Sequence, residues 1–259
     1  MLNNLPVECL SIILSFLSIR EKLKLRSTCK LWNEIVIYLN KRQKRLTLWT
    51  PFDQDSYVYF DYEQTVKLEV VKICYLDSAI SQTLAKIFPF IQTLCIDNLK
   101  TDEKAINVLT KAFSNLKNIH LINLRNLNIN RVLFKLAEDC DIRRLEIRIY
   151  DYVNGVEEQT MNFVAIKCPK IEKLSLFSAT RTNIIKGSFL LAMKHLKSLH
   201  LRGCINISSE HYNVLIQESG SNLTSIEIDI TSRFSSSVIP LIANNSFSFK
   251  RSIAIDMQA

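Results

Sequence analysis

One hexamer recurs down this chain, and its spacing leaves few folds open. The pattern L-x-x-L-x-L, with any large aliphatic allowed, appears as Leu68/Val71/Ile73, Ile91/Leu94/Ile96, Leu116/Ile119/Leu121 and Ile142/Leu145/Ile147. It continues as Ile171/Leu174/Leu176, Leu196/Leu199/Leu201 and Leu223/Ile226/Ile228, with a degenerate last copy at Lys250/Ile253/Ile255. The starts lie 23, 25, 26, 29, 25, 27 and 27 residues apart. A strand-plus-helix unit of roughly 20–29 residues cannot bury its apolar side alone, so such units stack and share one continuous core.

The x-L-x-L half of each unit is a strand of period two. Its aliphatics point into the core and the residues between them point outward. Stacking side by side gives a curved parallel sheet, and each unit returns along the other side through a helix. After the Ile91 unit that helix is expected over Asp102 to Phe113, where Ala105, Ile106, Leu109 and Phe113 stand at helical spacing.

The first forty residues follow another rule. Leu10, Ile13, Leu14 and Leu17 sit at i, i+3, i+4 and i+7 and line one helix face. Pro6 suits an early helical position, where its missing N–H costs nothing, and Asn4 can cap just before it. Leu23 and Leu25 stand apolar in the basic stretch Glu21 to Cys29, and Trp32, Ile35 and Val36 open a third stripe. Three helices this short share a very small core, so they gain by burying apolar surface on a partner.

Leu5, Pro6, Glu8, Leu10, Ile13, Leu14, Leu17, Leu23, Leu25, Cys29, Lys30, Trp32 and Ile35 fall without a gap into a pattern that resembles the F-box. The resemblance implies docking on a Skp-type adaptor and, through it, a cullin ubiquitin ligase. It also implies that Leu5, Pro6, Glu8, Leu10, Ile13, Leu14, Leu17, Cys29 and Trp32 serve that docking. The repeat units resemble the leucine-rich repeat. In the Leu196 unit, Cys204, Ile207, Tyr212 and Leu215 resemble the cysteine-containing subclass commonly found behind an F-box, whereas Leu124 and Ala179 stand at or near the cysteine position in other units. The resulting expectation is an α/β chain with an F-box domain over 1–45, a connector or cap over 46–65 and a leucine-rich-repeat solenoid over 66–259 of about seven to eight repeats.

The net charge of +8 is concentrated: residues 1–50 hold nine Lys or Arg against three Glu. A basic module implies an acidic partner surface. The cluster Lys41 to Arg45, KRQKR, reads either as a solvated connector or as a nuclear-import or phosphate-binding patch. The apolar run of residues 9–19 follows no Lys or Arg, precedes no small-residue cleavage site and is too short to span a bilayer. The chain is therefore expected to be soluble, cytoplasmic and/or nuclear, with its three glycosylation sequons, at Asn206, Asn222 and Asn244, as chance matches. Seven widely spaced Cys make a poor disulfide framework, and the absence of a CxxC pair argues against zinc.

No catalytic or cofactor motif is present. The four glycines are far apart, which excludes a phosphate loop, and no HExxH or GxSxG occurs. His120 and His200 fall on the outward strand positions three units apart, too far to share a metal. They read as surface histidines or ligand contacts. The outward residues form three rows. Thr93, Asn118, Arg144, Lys173, Ser198 and Ser225 make the first, and Cys95, His120, Glu146, Ser175, His200 and Glu227 the second. Asp97, Ile122, Arg148, Phe177, Arg202 and Asp229 make the third. Arg144, Arg148, Lys173 and Arg202 surround Phe177, an arrangement suited to a binding hot spot and to phosphate or carboxylate groups.

The expected function is substrate recognition for a Skp–cullin–F-box ligase, with the target held by His120, Arg144, Arg148, Lys173, Phe177, His200 and Arg202. A non-degradative interaction scaffold is the alternative, and a nucleic-acid binder the weaker one. At the other end, only a weak helix around Val238 to Ala243 precedes the last strand and none follows it. Ile253 and Ile255 are expected to form an open edge that another chain or a longer product would cover.

Overall fold

The computed structural model describes residues 5–17, 19–49, 69–72, 75–124, 127–150, 155–178, 186–203, 210–211, 214, 223–229 and 248–252. Expectations for Asn4, for 50–65, for Leu68 and Ile73, for Ala179, for Cys204, Ile207, Tyr212 and Leu215, for the 238–243 helix and for Ile253 and Ile255 lie outside them.

Three helices open the chain: α1 Val7–Ser15, α2 Ile19–Arg26 and α3 Lys30–Arg42. Leu10, Leu14, Ile35 and Val36 form their core, and Leu17, Leu25, Leu31, Trp32 and Leu39 pack around it. Pro6 stands one position earlier than expected. It is the N-cap of α1, extended at φ −53° and ψ 147°, and its carbonyl accepts from Leu10 N–H at 3.1 Å.

The rest is α/β. The strands are β1 Arg45–Trp49, β2 Glu69–Lys72, β3 Tyr75–Leu76, β4 Thr93–Asp97, β5 Lys100–Thr101, β6 Asn118–Ile122, β7 Arg144–Ile149, β8 Lys173–Ser178, β9 Ser198–Arg202, β10 Ser225–Asp229 and β11 Ser248–Ser252. Between them run α4 Ser78–Ile87, α5 Glu103–Ala112, α6 Ile129–Asp139, α7 Glu158–Lys167 and a 3-10 helix Ser188–Ala192. Among the described residues nine strands form one parallel sheet in the order β2-β1-β4-β6-β7-β8-β9-β10-β11, and β3 pairs with β5.

The register of this sheet is set by a repeated backbone contact. The carbonyl before each strand accepts two N–H groups from the start of the next. Lys44 serves Gln92 and Thr93, Gln92 serves Lys117 and Asn118, and Lys117 serves Arg143 and Arg144. Arg143, Glu172 and Lys197 repeat the pattern toward β8, β9 and β10. Leu94, Ile119, Leu145, Leu174, Leu199 and Ile226 thereby share one level, and all are buried.

Five hexamers, from Ile91 to Leu196, also have an upstream partner that the aliphatic template omits. The residue just past the helix before each of these is buried: Phe88, Phe113, Cys140, Cys168 and Met193, each with its N–H bonded back into the helix it ends. The starts of α4, α5 and α6 are set by side-chain caps. Asp77 accepts from Ile80 N–H at 2.7 Å, Asp102 from Ala105 N–H at 2.7 Å, and Asn128 from Asn130 N–H at 2.9 Å. The helix expected over Asp102 to Phe113 is α5 with those two residues as its caps, and Ala105, Ile106, Leu109 and Phe113 are buried.

Three placements differ from the sequence reading. Strand β1 crosses the boundary drawn between the F-box segment, 1–45, and the connector, 46–65, and it separates β2 from β4. Its Leu46 and Leu48 are fully buried, but its hexamer starts on Gln43, which an aliphatic template passes over. In β2, Val71 pairs with Leu48 rather than Leu46, an even slip that leaves the two faces of the strand unchanged. In β11, Phe249 stands opposite Ile226 where Ile253 was expected; an aromatic with high strand propensity takes a position sought only among aliphatics.

Chain turns off the strands need positive φ at Asn98, Asn123 and Gly203. The two asparagines tolerate it and bond to each other, Asn123 Nδ2 to Asn98 Oδ1 at 2.9 Å. At Gly203, φ is 67° and an added Cβ would overlap the Ser178 carbonyl oxygen. Gly203→Ala is therefore expected to cost on the order of 1–3 kcal/mol and lower Tm by several degrees. Thermal denaturation beside wild type checks this; an unchanged Tm contradicts the close approach of the β8 and β9 ends.

Candidate functional site

Two surfaces carry the residues singled out in the sequence. On the helical module, Leu10 and Leu14 are 1% exposed and serve its interior. Leu17 and Trp32 pack on that core and are half-buried. Leu5, Pro6, Glu8, Ile13 and Cys29 are exposed. Val7 (45% exposed), Ile12 (61%) and Phe16 (73%), which the sequence reading did not select, stand open beside Leu5 and Ile13. The helical period could have found them: α1 reads VECLSIILS, apolar on more than the one side its small core can cover. Each residue from Lys30 to Arg42 is helical, and α3 reaches β1 through Gln43 and Lys44 alone.

On the sheet, the three outward rows are in register as expected. Thr93, Asn118, Arg144, Lys173, Ser198 and Ser225 are neighbours along one line. Cys95, His120, Glu146, Ser175, His200 and Glu227 form the second, and Asp97, Ile122, Arg148, Phe177 and Arg202 the third. Strand β1 extends the rows with Arg45, Thr47 and Trp49. Cys95, Asp97 and Ile122 are buried, so the face is closed at the ends of β4 and β6 and open over β7 to β9. Burial pushes the Cys95 thiol up to about 12, with the Asp97 charge adding to it, so it is no thiolate nucleophile at neutral pH.

The open part is a network of charges. Glu146 Oε2 lies 2.8 Å from His120 Nδ1, and Glu146 Oε1 accepts from Arg148 Nε at 2.6 Å. Burial alone would raise the Glu146 carboxyl, but the His120 hydrogen bond and the Arg148 charge outweigh it and hold the pKa at about 2. Arg202 sits over the Phe177 ring, 5.7 Å from its centre, and the Tyr150 ring lies tilted against Phe177 with centroids 5.3 Å apart. His200 lies 3.8 Å from Glu227. Five of the face residues singled out, His120, Arg148, Phe177, His200 and Arg202, thus belong to contacts within the face.

Arg144 and Lys173 stand apart from that network. With Arg45, Thr93, Asn118, His120, Leu145 and Glu146 they line a cleft of about 160 Å³. Arg45 was missed because it closes the basic run assigned to the module boundary, two residues after the Gln43 that hides the β1 hexamer. Among the described residues no group of three or more His, Cys, Asp or Glu is placed to hold a metal ion, and no helix is long and apolar enough to cross a membrane.

Residues 2–44 match the family model described as F-box domain. The chain therefore carries an F-box, which accounts for the three helices and the exposed apolar residues on α1. An F-box implies an adaptor role in a Skp–cullin–F-box ubiquitin ligase, and proteins that carry one are typically non-catalytic substrate adaptors. No curated protein matches the chain.

Glu146 ties the face to pH. Its folded pKa, about 2, lies below the ordinary carboxylate value of 4.5, so its charge stabilises the fold above pH 4.5 and that contribution is lost as pH falls toward 2. Glu146→Gln is expected to be less stable than wild type at pH 7 by on the order of 1–3 kcal/mol, with the gap closing below pH 3. Urea denaturation at pH 7, 4.5 and 2.5 measures it; a gap independent of pH contradicts the ion network.

Proposed function

We propose that this chain is the substrate-recognition subunit of a Skp–cullin–F-box ubiquitin ligase, working in the cytoplasm and/or nucleus. The F-box binds the Skp-type adaptor and the open face of the sheet holds a target protein. The observation that carries the reading is the pairing of an F-box with a parallel sheet whose outward rows are charged and aromatic rather than uniformly solvated. The repeated carbonyl contact, the common aliphatic level and the 23–29-residue spacing support a leucine-rich-repeat solenoid as the architecture of that sheet.

In this reading the chemistry of ubiquitin transfer belongs to the cullin-bound conjugating enzyme. The chain supplies proximity and orientation, raising the effective concentration of target lysines at that enzyme. Leu5, Pro6, Ile13 and their neighbours Ile12 and Phe16 bury apolar surface on the adaptor. Leu10, Leu14 and Trp32 support that surface from below, while Glu8, Leu17 and Cys29 border it. The basic charge of residues 1–50 steers docking on an acidic partner. On the sheet, Phe177 and the cations around it hold the target, with His120 and His200 at their side. The same face would serve a non-degradative scaffold, which differs in that target levels do not change on adaptor binding.

Two measurements test the reading. Leu5→Ala with Ile13→Ala is expected to abolish co-purification of the Skp-type adaptor with Tm unchanged. Leu10→Ala should instead destabilise the helical module by about 2–5 kcal/mol. Retained adaptor in the double variant sinks the docking assignment. For the target face, Phe177→Ala should reduce recovered targets at least several-fold and leave adaptor binding intact. Equal recovery from wild type and Phe177→Ala removes Phe177 from the interface.

A further inference from the structure

Among the described residues, large aliphatic side chains stand exposed on helices in two places. Val7, Ile12 and Ile13 on α1 belong to the F-box. Ile166 on α7, 69% exposed, and Leu191 on the 3-10 helix belong to the helical side of the sheet, opposite the outward rows. The adaptor accounts for the first group. Nothing in the target-receptor reading uses the second.

The sequence of α7 explains the exposure. Its run EQTMNFVAIK turns Thr160, Met161, Val164 and Ala165 into the core, yet keeps Ile166 exposed and Phe163 half-buried. On α5 the exposed positions are instead Lys104, Lys111 and the small Ala112. A helix that is apolar on both sides has a second surface to cover. The next unit supplies little cover, because it returns through five residues of 3-10 helix where α7 has ten of α-helix. Ile166 and Leu191 each stand two residues before the buried residue that ends their helix, Cys168 and Met193, and so occupy the same level of neighbouring units. Phe134 of α6, also exposed, continues the patch, its ring 4.6 Å from that of Phe163.

The patch has a cationic border. Lys167 Nζ lies 5.7 Å from the centre of the Phe163 ring. Lys170 and Lys194, both exposed, follow in the turns after α7 and after the 3-10 helix. None of these three lysines has a carboxylate within 4 Å among the described residues. On the α6 side the carboxylates are already matched, since Glu138 and Asp139 share Lys135.

We propose that this helical face docks an amphipathic helix of a second protein, apolar on one side and carrying carboxylates beside that stripe. An apolar centre with a cationic border is complementary to that pattern and repels its basic counterpart. The patch is made of helix sides and offers no strand edge. An extended peptide buried on it would leave its backbone N–H and C=O groups unpaired, whereas a helix bonds its own. The size agrees. Three units side by side, at about 8–10 Å between helix axes, give a run of roughly 16–20 Å. A helix of about 11–13 residues covers that at ~1.5 Å per residue.

The charge also decides against a second copy of this chain. Two such patches facing each other about a two-fold axis would bring one carboxylate per chain, that of Glu157 before α7, against three lysines. The neighbouring Glu158 is held by the N–H groups of Gly187 and Ser188. The docked helix would leave α1 to the adaptor and the outward rows to a target, so both can be held while the second protein is bound.

The test uses the full chain bound to its Skp-type adaptor, which keeps α1 covered. Fluorescence anisotropy follows a pool of helical peptides of about 14 residues. Leucine, isoleucine, phenylalanine and methionine are mixed at i, i+4, i+7 and i+11, with glutamate and alanine between. A second pool has lysine for glutamate, and a third is shuffled so that no apolar stripe forms. The glutamate pool is expected to bind at least tenfold more tightly than either. Ile166→Ser with Leu191→Ser should remove that binding with Tm unchanged. Lys167→Gln with Lys170→Gln and Lys194→Gln should abolish the preference for glutamate over lysine. Lys86→Gln with Lys104→Gln and Lys111→Gln, equal in charge but on α4 and α5, should leave it intact, and so should Phe177→Ala on the outward face. Equal binding of the glutamate and shuffled pools overturns the proposal, as does binding that survives the Ile166 and Leu191 changes. Loss of binding in Phe177→Ala overturns it as well, by moving the peptide to the outward face and leaving the target-receptor reading standing. Sedimentation of the same complex tests the remaining occupant. A complex that does not self-associate with concentration supports a second protein, and a dimer that dissolves in Ile166→Ser with Leu191→Ser overturns it in favour of a second copy.

Discussion

The sheet depends on a single backbone contact made six times over. The carbonyls of Lys44, Gln92, Lys117, Arg143, Glu172 and Lys197 each accept two N–H groups from the following strand. A one-residue slip would break both bonds at that site and send every leucine of the strand to the wrong face. The contact therefore locks side-chain polarity to strand position. Aliphatics at one level fill the core, and whatever the sequence places between them is presented on the face in straight rows across five strands or more. The rows are a consequence of register, and their chemistry varies freely because the core does not use them.

That freedom explains how opposite environments stand side by side. Row two holds a carboxylate satisfied by a histidine and an arginine, and row three an aromatic covered by another arginine. Row one holds Arg144 and Lys173, which have no carboxylate within 4 Å among the described residues. Pairing in the interior of the face has a structural use: a half-buried Glu146 without Arg148 and His120 would be costly to desolvate. The unpaired cations stand where water still reaches them, as the exposure of Arg45 and Arg144 indicates. A protein can keep such charges without penalty, and their remaining potential is available to a ligand.

Much of this was legible in the sequence, and the failures have physical causes. The period and the x-L-x-L alternation located β4, β6, β7, β8, β9 and β10 in the correct register, because buried strands tolerate little but aliphatics. Strand β1 was lost because only its two inward residues are aliphatic and its lead residue is Gln43. Arg45 was lost with it, and with Arg45 the cleft. Phe249 was lost because the template excluded aromatics. In the helical module the i, i+3, i+4, i+7 stripe was found, but spacing cannot say which members face inward. Leu10 and Leu14 do, whereas Ile13 lies off the buried line at 42% exposure, beside residues that a single-stripe reading ignored. Sequence also cannot separate a free arginine from a paired one. Arg144 and Arg148 are alike in the strand pattern, yet Glu146 binds only Arg148.

The same carbonyl ladder bears on how the two surfaces cooperate. Its first member, Lys44, lies in the two-residue join between α3 and β1, and it bonds to β4 rather than to the strand next in sequence. The last F-box helix thus runs into a strand flanked by neighbours on both sides, β2 and β4. A flexible linker would let the target face wander relative to the adaptor, lowering effective concentration at any one position. A join of two residues with its carbonyl doubly bonded has no such freedom. Under the proposed function this is what a non-catalytic subunit must provide, because its whole contribution to the reaction is where it holds the target. Strand β1 then serves both ends: its backbone fixes the F-box to the sheet, and its first side chain, Arg45, completes the cleft on the face.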